Sequence, residues 1–154
     1  IGEVKTGVIN IDTPGDYKGK VALEILKAES KVEPQVRNGR VLIKINIKAD
    51  AGLAEQTCQQ NLATIPMFKM MEKKQEEVIR EEITAAFEKS KELKADIFGL
   101  GEMIRKKYRK QWEQMEGEWD GIYNEIELVF DIKTKIRKTD LLTKPASPER
   151  SEGE

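Results

Sequence analysis

An Asn38-Gly39 pair separates two long alternating apolar stretches, and no other feature of the chain restricts its fold as strongly. Both residues tolerate the positive φ of a type I′ turn, the two-residue connection whose twist suits antiparallel strands. Val21–Val36 and Arg40–Lys48 therefore read as the arms of a hairpin flanking Arg37-Asn38-Gly39. In the second arm Val41, Ile43, Ile45 and Ile47 face one way, and Leu42, Lys44, Asn46 and Lys48 the other. That is the pattern of an antiparallel sheet buried on one side.

The rest of the chain reads around this hairpin. Val4–Ile11 is one short strand, closed by the turn residues Thr13-Pro14-Gly15 and Gly19. Ala49–Thr64 is less regular, and Ala51-Gly52-Leu53-Ala54-Glu55 suits a bulge or a turn. Thr64 is placed as an N-cap with Pro66 in the first turn, and a long helix follows from Ile65 to Leu93. Its inner stripe reads as Phe68, Gln75, Ile79, Ile83, Ala86 and Leu93. Its outside carries mixed charge, with Glu76/Arg80 and Glu88/Lys91 at pairing distance. Asp96 can cap a shorter helix over Ile97–Tyr108, continued by Arg109–Met115, with Gly99 and Gly101 marking a kink or a close backbone contact. Glu116–Tyr123 reads as a loop. Asn124–Lys138 is a long strand with Ile126, Leu128, Phe130, Ile132 and Ile136 on one face, while Val129 interrupts the charged one. At about 1.5 Å per helical residue and about 3.3 Å per strand residue, the long helix and the last strand both reach roughly 43 Å. The expected class is α+β: a curved antiparallel sheet of long strands packed against one long helix plus one or two shorter helices. The 154 residues predict a single domain over 1–142, with 143–154 a polar tail too poor in apolar residues to pack.

Composition narrows the chemistry. The chain has no histidine, one cysteine (Cys58), and 27 Lys+Arg against 28 Asp+Glu, a net charge of -1. Lack of histidine removes Ser-His-Asp and Cys-His nucleophiles and His-ligated zinc. One cysteine excludes an internal disulfide and a multi-cysteine metal site. The charge balance disfavours nucleic acid as a partner. No apolar run approaches the roughly 18 residues of a membrane span. With Ile1 at its start and no signal peptide in view, the chain reads as an excised domain, its targeting signals outside it. Glu116-x-Glu118-x-Asp120-Gly121-x5-Glu127 copies the outline of an EF-hand loop. Its first ligand is Glu where Asp is usual, and a strand follows where a helix is needed, so no calcium site is assigned. Asp96–Gly101 follows a helix rather than a strand and is no phosphate loop. No carboxylate spacing singles out an acid/base pair, which places a carboxylate hydrolase last among the readings. Catalytic residues, metal ligands and cofactors are therefore expected to be absent.

Two clusters remain as candidates for partner contact. Arg105-Lys106-Lys107-Tyr108-Arg109-Lys110 is the densest basic run. Such a run can meet phosphates or anionic headgroups, although a helix end carrying cations gives the same pattern and Glu113, Glu116 and Glu118 dilute its field. Trp112 and Trp119, flanked by Tyr108 and Tyr123, suit a pocket or an interface and equally a core edge. The candidate partner-binding residues are Arg105, Lys106, Lys107, Trp112, Trp119 and Tyr123.

Lys94-Ala95-Asp96-Ile97-Phe98-Gly99-Leu100-Gly101, then Trp112, Trp119 and Tyr123, then the alternating strand ending Ile136-Arg137-Lys138-Thr139, resemble the C-terminal domain of the Ger(x)C family. Gly7-Val8-Ile9-Asn10-Ile11, the Ile25–Pro34 stretch and Leu53-Ala54-Glu55-Gln56 fit more loosely, so the likeness covers roughly 1–142. Thr139-Asp140 departs from the family's Thr-Gly. Family domains carry a short strand and helix ahead of the point matching Ile1, so a truncated start with an exposed sheet edge is expected. The resemblance implies a non-enzymatic domain of a germinant receptor lipoprotein in spore germination, acting in receptor assembly or signalling. It implies integral-membrane receptor subunits as partners, no nucleic acid, and no cofactor. It also implies a place on the extracytoplasmic face of the spore inner membrane through a lipid anchor outside this chain, so Cys58 is not the anchor. The competing reading is a small-molecule module that binds the nutrient itself, which requires a formed apolar cavity with convergent polar groups.

Overall fold

The computed structural model describes residues 2–4 and 7–137. The elements are β1 (Gly2–Val4), β2 (Val8–Asp12), β3 (Lys20–Arg37), β4 (Arg40–Gln56), α1 (Ile65–Glu92), α2 (Leu100–Lys107), α3 (Arg109–Met115), a 3-10 turn (Glu116–Glu118), α4 (Trp119–Asn124) and β5 (Glu127–Arg137). The strands form one five-stranded sheet in the order β1-β3-β4-β5, with β2 also pairing β3. The class is α+β, as the alternation and the helical periodicity predict. The tail 143–154, the strand end at Lys138 and the Thr139-Asp140 turn lie outside the described residues.

Asn38 (φ 51°) and Gly39 (φ 75°) make the hairpin turn with paired positive angles. β4 then differs from its expected end near Lys48. Ala49, Ala51 and Leu53 continue the odd-numbered buried series of Val41, Ile43 and Ile45, so the supposed bulge or turn is strand to Gln56. Alanine has too little apolar surface for that alternation to stand out in sequence. The first strand, read as Val4–Ile11, is two elements, β1 and β2. The Glu116–Tyr123 loop is the 3-10 turn and most of α4.

The chain packs as two compact units. Of the described residues, one takes Glu29–Lys48 and Glu76–Lys133; the other takes Val4–Ala28, Ala49–Gln75 and 134–137. In the second unit, β2 pairs antiparallel with β3 from Val8↔Glu24 to Asp12↔Lys20, placing Ile11 beside Val21 and Ile9 beside Leu23. Gly19 closes the intervening turn with φ 138°, and a Cβ there would lie 2.7 Å from Thr57 Oγ1. That close approach requires glycine. The Thr57 hydroxyl accepts the Lys20 N–H at 2.8 Å, tying the start of β3 to the chain just after β4. On α1, Glu72 receives β5 twice: its carbonyl accepts Thr134 Oγ1–H at 3.0 Å, and its carboxylate accepts the Ile136 N–H at 2.9 Å. Gln75 is fully buried there, its amide without a protein partner among the described residues.

In the first unit Val41, Ile43 and Ile45 of β4 pack with Phe87 of α1, Leu100 and Ile104 of α2, Met115, Tyr123 and Ile126. Thr64 starts α1 as expected, its carbonyl accepting the Phe68 N–H at 2.9 Å. The buried stripe of α1 is Met71, Gln75, Phe87 and Ser90, with Phe68, Ile79 and Ile83 half-buried. Ala86 and Leu93 are exposed, so the inward row steps from Ile83 by four to Phe87 rather than by three to Ala86. A 3.6-residue period permits either step, and the larger ring wins the core. Phe87→Ala should therefore cost about 3–5 kcal/mol in chemical denaturation. Ala86→Gln should change stability by no more than about 0.5 kcal/mol.

Candidate functional site

The segment most specific in sequence folds as a support for the helices that follow it. Asp96 lies ahead of α2, and its two carboxylate oxygens accept the Leu100 N–H at 2.8 Å and the Gly101 N–H at 2.7 Å. Two of the donors that a helix start leaves unpaired are thereby satisfied. The helix begins at Leu100 rather than Ile97 because Gly99, at φ 65°, occupies the left-handed region just before it. Gly101 is buried, and a Cβ there would stand 3.1 Å from Trp112 and 3.2 Å from Trp119. The two glycines thus divide the roles expected of them, a change of chain direction and a close approach.

Above Gly101 the aromatic rings form a continuous series. Trp112 meets Trp119 edge-on at 5.1 Å between centroids, and Trp119 meets Tyr123 at 5.8 Å. Tyr123 then meets Phe87 at 5.4 Å, and Phe87 meets Phe98 at 5.9 Å. Tyr123 lies in the core beneath the indoles rather than on the surface, while both tryptophans are half-buried. The Ser90 hydroxyl donates to the Phe87 carbonyl at 2.6 Å, so the Tyr123 hydroxyl, 2.7 Å away, donates to Ser90. Burial pushes the Tyr123 phenol up, against the lowering effect of the Ser90 bond. Ser90 was not legible as a site residue; a small polar residue on a helix signals nothing until a phenol from elsewhere meets it.

The basic run divides. Arg105 grips Glu102 with two hydrogen bonds, at 2.7 and 2.8 Å, and Lys106 adds a contact at 3.3 Å to the same carboxylate. The Arg105 hydrogen bonds, followed by Lys106, hold the Glu102 carboxyl down at about 2, well below its usual 4.5. Lys107 turns instead to the β3 strand, donating to the Pro34 carbonyl at 3.3 Å, where the Tyr108 hydroxyl also donates at 3.2 Å. Proline breaks the strand's row of donors, and these two side chains cover its carbonyl. Arg109 faces Glu113 at 3.6 Å. The run is therefore a partly neutralised helix end whose five cations, Arg105, Lys106, Lys107, Arg109 and Lys110, are all exposed, not a bare cationic patch.

Besides a hollow of about 780 Å³ at the Asn38-Gly39 turn, lined by Arg37, Arg40, Glu125 and Glu127, the same unit holds others. A polar one of about 450 Å³ lies over Lys31, Glu33, Asn46, Lys48, Asp131 and Lys133. There Lys31 pairs with Glu33 at 2.7 Å, Asn46 donates to the same carboxylate at 3.1 Å, and the Lys31 bond lowers the Glu33 carboxyl. An apolar one of about 50 Å³ is walled by Val32, Ile43, Ile83, Phe87, Phe98 and Met103. Ligand cavities are commonly about 300–1,000 Å³, so this second space is a packing gap. The EF-hand-like carboxylates are spread over the 3-10 turn, α4 and the start of β5, and no set of metal-ligating side chains converges among the described residues. Cys58 is buried, its carbonyl accepting from Gln56 at 2.9 Å. Among the described residues no helix is long and apolar enough to cross a membrane.

Residues 1–140 match the family model described as "Spore germination B3/ GerAC like, C-terminal". Spore germination protein KC of Bacillus subtilis (strain 168) is 31% identical over 147 residues, covering 94% of this chain and 36% of that protein. Spore germination protein B3 of the same organism is 27% identical over 139 residues, covering 88% and 36%. The crystal structure of the GerBC protein superimposes with a TM-score of 0.72 at 25% identity, covering 86% of this chain and 41% of that one. The chain spans about a third of the length of these curated relatives.

The Glu102 grip has a direct pH signature. Its carboxyl falls from 4.5 unfolded to about 2 folded, so any stabilisation is present above pH 4.5 and fades as pH drops through about 2. A side-chain carbon NMR titration should place its midpoint near 2, and Arg105→Ala should return it toward 4.5.

Proposed function

Because the chain belongs to the spore germination B3/GerAC-like C-terminal family, we propose that it is a non-enzymatic docking domain of a germinant receptor subunit, acting in receptor assembly or signalling during spore germination. The observation that carries the reading is the use made of the Asp96–Gly101 segment and the aromatic series. The Asp96 carboxylate bonds to backbone, the Tyr123 hydroxyl bonds to Ser90, and the rings pack together. Such an arrangement stiffens a surface and supplies no nucleophile or proton-transfer pair. The surface so stiffened carries Arg105, Lys106, Lys107 and the half-exposed Trp112 and Trp119, with Lys107 also bonded to the Pro34 carbonyl and Tyr123 buried beneath. Indoles and a guanidinium on a rigid support suit a protein partner. In this reading the partners are the integral-membrane subunits of the receptor. The domain stands on the extracytoplasmic face of the spore inner membrane, held by a lipid anchor elsewhere in the full-length protein.

Lys106 tests the surface because its ammonium is exposed and its loss leaves the Arg105–Glu102 pair in place. Lys106→Glu should keep stability within about 0.5 kcal/mol and impair recovery of the receptor complex and the rate of germination. Unchanged complex recovery and germination would remove this face from the proposal.

The polar hollow over Glu33, Asn46 and Asp131 favours a second reading, a small-molecule module. Its charges of both signs suit a zwitterion better than an apolar nutrient. A thermal-shift screen of amino acids, sugars and nucleosides tests it: a saturable rise in Tm that Asn46→Ala abolishes would support it, and a flat response would dismiss it.

A further inference from the structure

We infer that the turn between β2 and β3, together with the first turns of α1, forms a docking face for an anionic lipid bilayer. The face lies wholly in the unit built from Val4–Ala28 and Ala49–Gln75. It is distinct from the Arg105–Tyr123 region, and composition did not disclose it.

Its apolar part is made by chain geometry. Gly15, at φ 74°, turns the chain so that the Tyr17 ring and the Met70 methyl meet beside it, 3.6 and 3.9 Å from where its Cβ would stand. Yet Tyr17 remains 42% exposed, Met70 40% and Ile65 73%. Three large side chains thus touch water at one end of a helix whose buried row has Met71 and Gln75 to face the core.

Its charge is set by what happens to the acids. From Ile65 to Gln75 the helix carries Lys69, Lys73 and Lys74 against one acid, Glu72. The Glu72 carboxylate is turned to the backbone N–H of Ile136. Asp12, which Lys74 also feels, is paired with Lys20. Of the turn's own charges, Asp16 offsets Lys18. The first turns of α1 carry a net surplus of two positive charges, with Lys69 and Lys73 exposed, on the same stretch that exposes Met70 and Ile65. A phenol places its ring at headgroup depth, lysine stems lie along apolar surface with their ammonium groups at the phosphates, and isoleucine and methionine enter the acyl boundary. An acidic protein would satisfy the lysines but gives no reason for the exposed apolar residues to gather among them.

The inference goes beyond the receptor reading and is tested apart from it, on the purified chain. Sedimentation with phosphatidylcholine vesicles containing about one third phosphatidylglycerol should carry the chain down, and pure phosphatidylcholine or high salt should release it. Lys69→Glu/Lys73→Glu should weaken binding by about tenfold or more, Ile65→Ser should weaken it without altering its salt dependence, and Lys106→Glu should leave it unchanged. Circular dichroism of each variant checks that the fold is kept; Ile65, being exposed, provides the test should the double variant misfold. Absence of sedimentation, equal binding to neutral vesicles, or binding lost with Lys106→Glu but not with the helix variants would overturn the inference. Failure here leaves complex recovery and germination, which bear on the receptor reading, untouched.

Discussion

The odd-numbered side chains of β4 are the constraint on which the rest of the structure depends. Val41, Ile43 and Ile45 supply one unit's core, and Ala49, Ala51 and Leu53 are buried in the other. A strand's side chains alternate with period two, so a one-residue slip would turn all of them to the wrong face. The Asn38-Gly39 turn sets the start of this register, and the bonds between Lys20 and Thr57 close its far end. Helix α1 answers the strand in each unit, with Ile83 and Phe87 in one and Met71 and Gln75 in the other.

Against that frame, the Asp96-Ile97-Phe98-Gly99-Leu100-Gly101 segment solves a local problem. A long helix ends, the chain reverses through Lys94 at φ 50° and Gly99 at φ 65°, and a short helix must start with its donors satisfied. One aspartate does the last of these, and one missing Cβ lets two indoles close over the new helix. Motif residues that look like a binding loop are thus accounted for by backbone needs.

Electrostatics follow the same division between held and available charge. Glu102 neutralises much of the densest basic run, which makes that run a poorer anion site than its composition suggests. At the start of α1 the acid bonds to the backbone of β5, while Lys69 and Lys73 are exposed.

The sequence by itself determined the α+β class, the hairpin and its turn, the extent of the long helix, the capping role of Asp96, the special positions of Gly99 and Gly101, and the lack of histidine chemistry. Each rests on local periodicity, turn chemistry or composition, which a short window contains. Tertiary structure alone decided that Ala49–Gln56 stays in the sheet, that Phe87 rather than Ala86 faces inward, and that Glu116–Tyr123 coils into helical turns. It also decided that Tyr123 is buried on Ser90 and that Glu72 reaches the backbone of Ile136. These choices depend on neighbours far along the chain, 33 residues from Ser90 to Tyr123 and 64 from Glu72 to Ile136. A weak local preference, such as alanine in a strand or a helical step of three against four, is settled by whichever partner the fold brings to it.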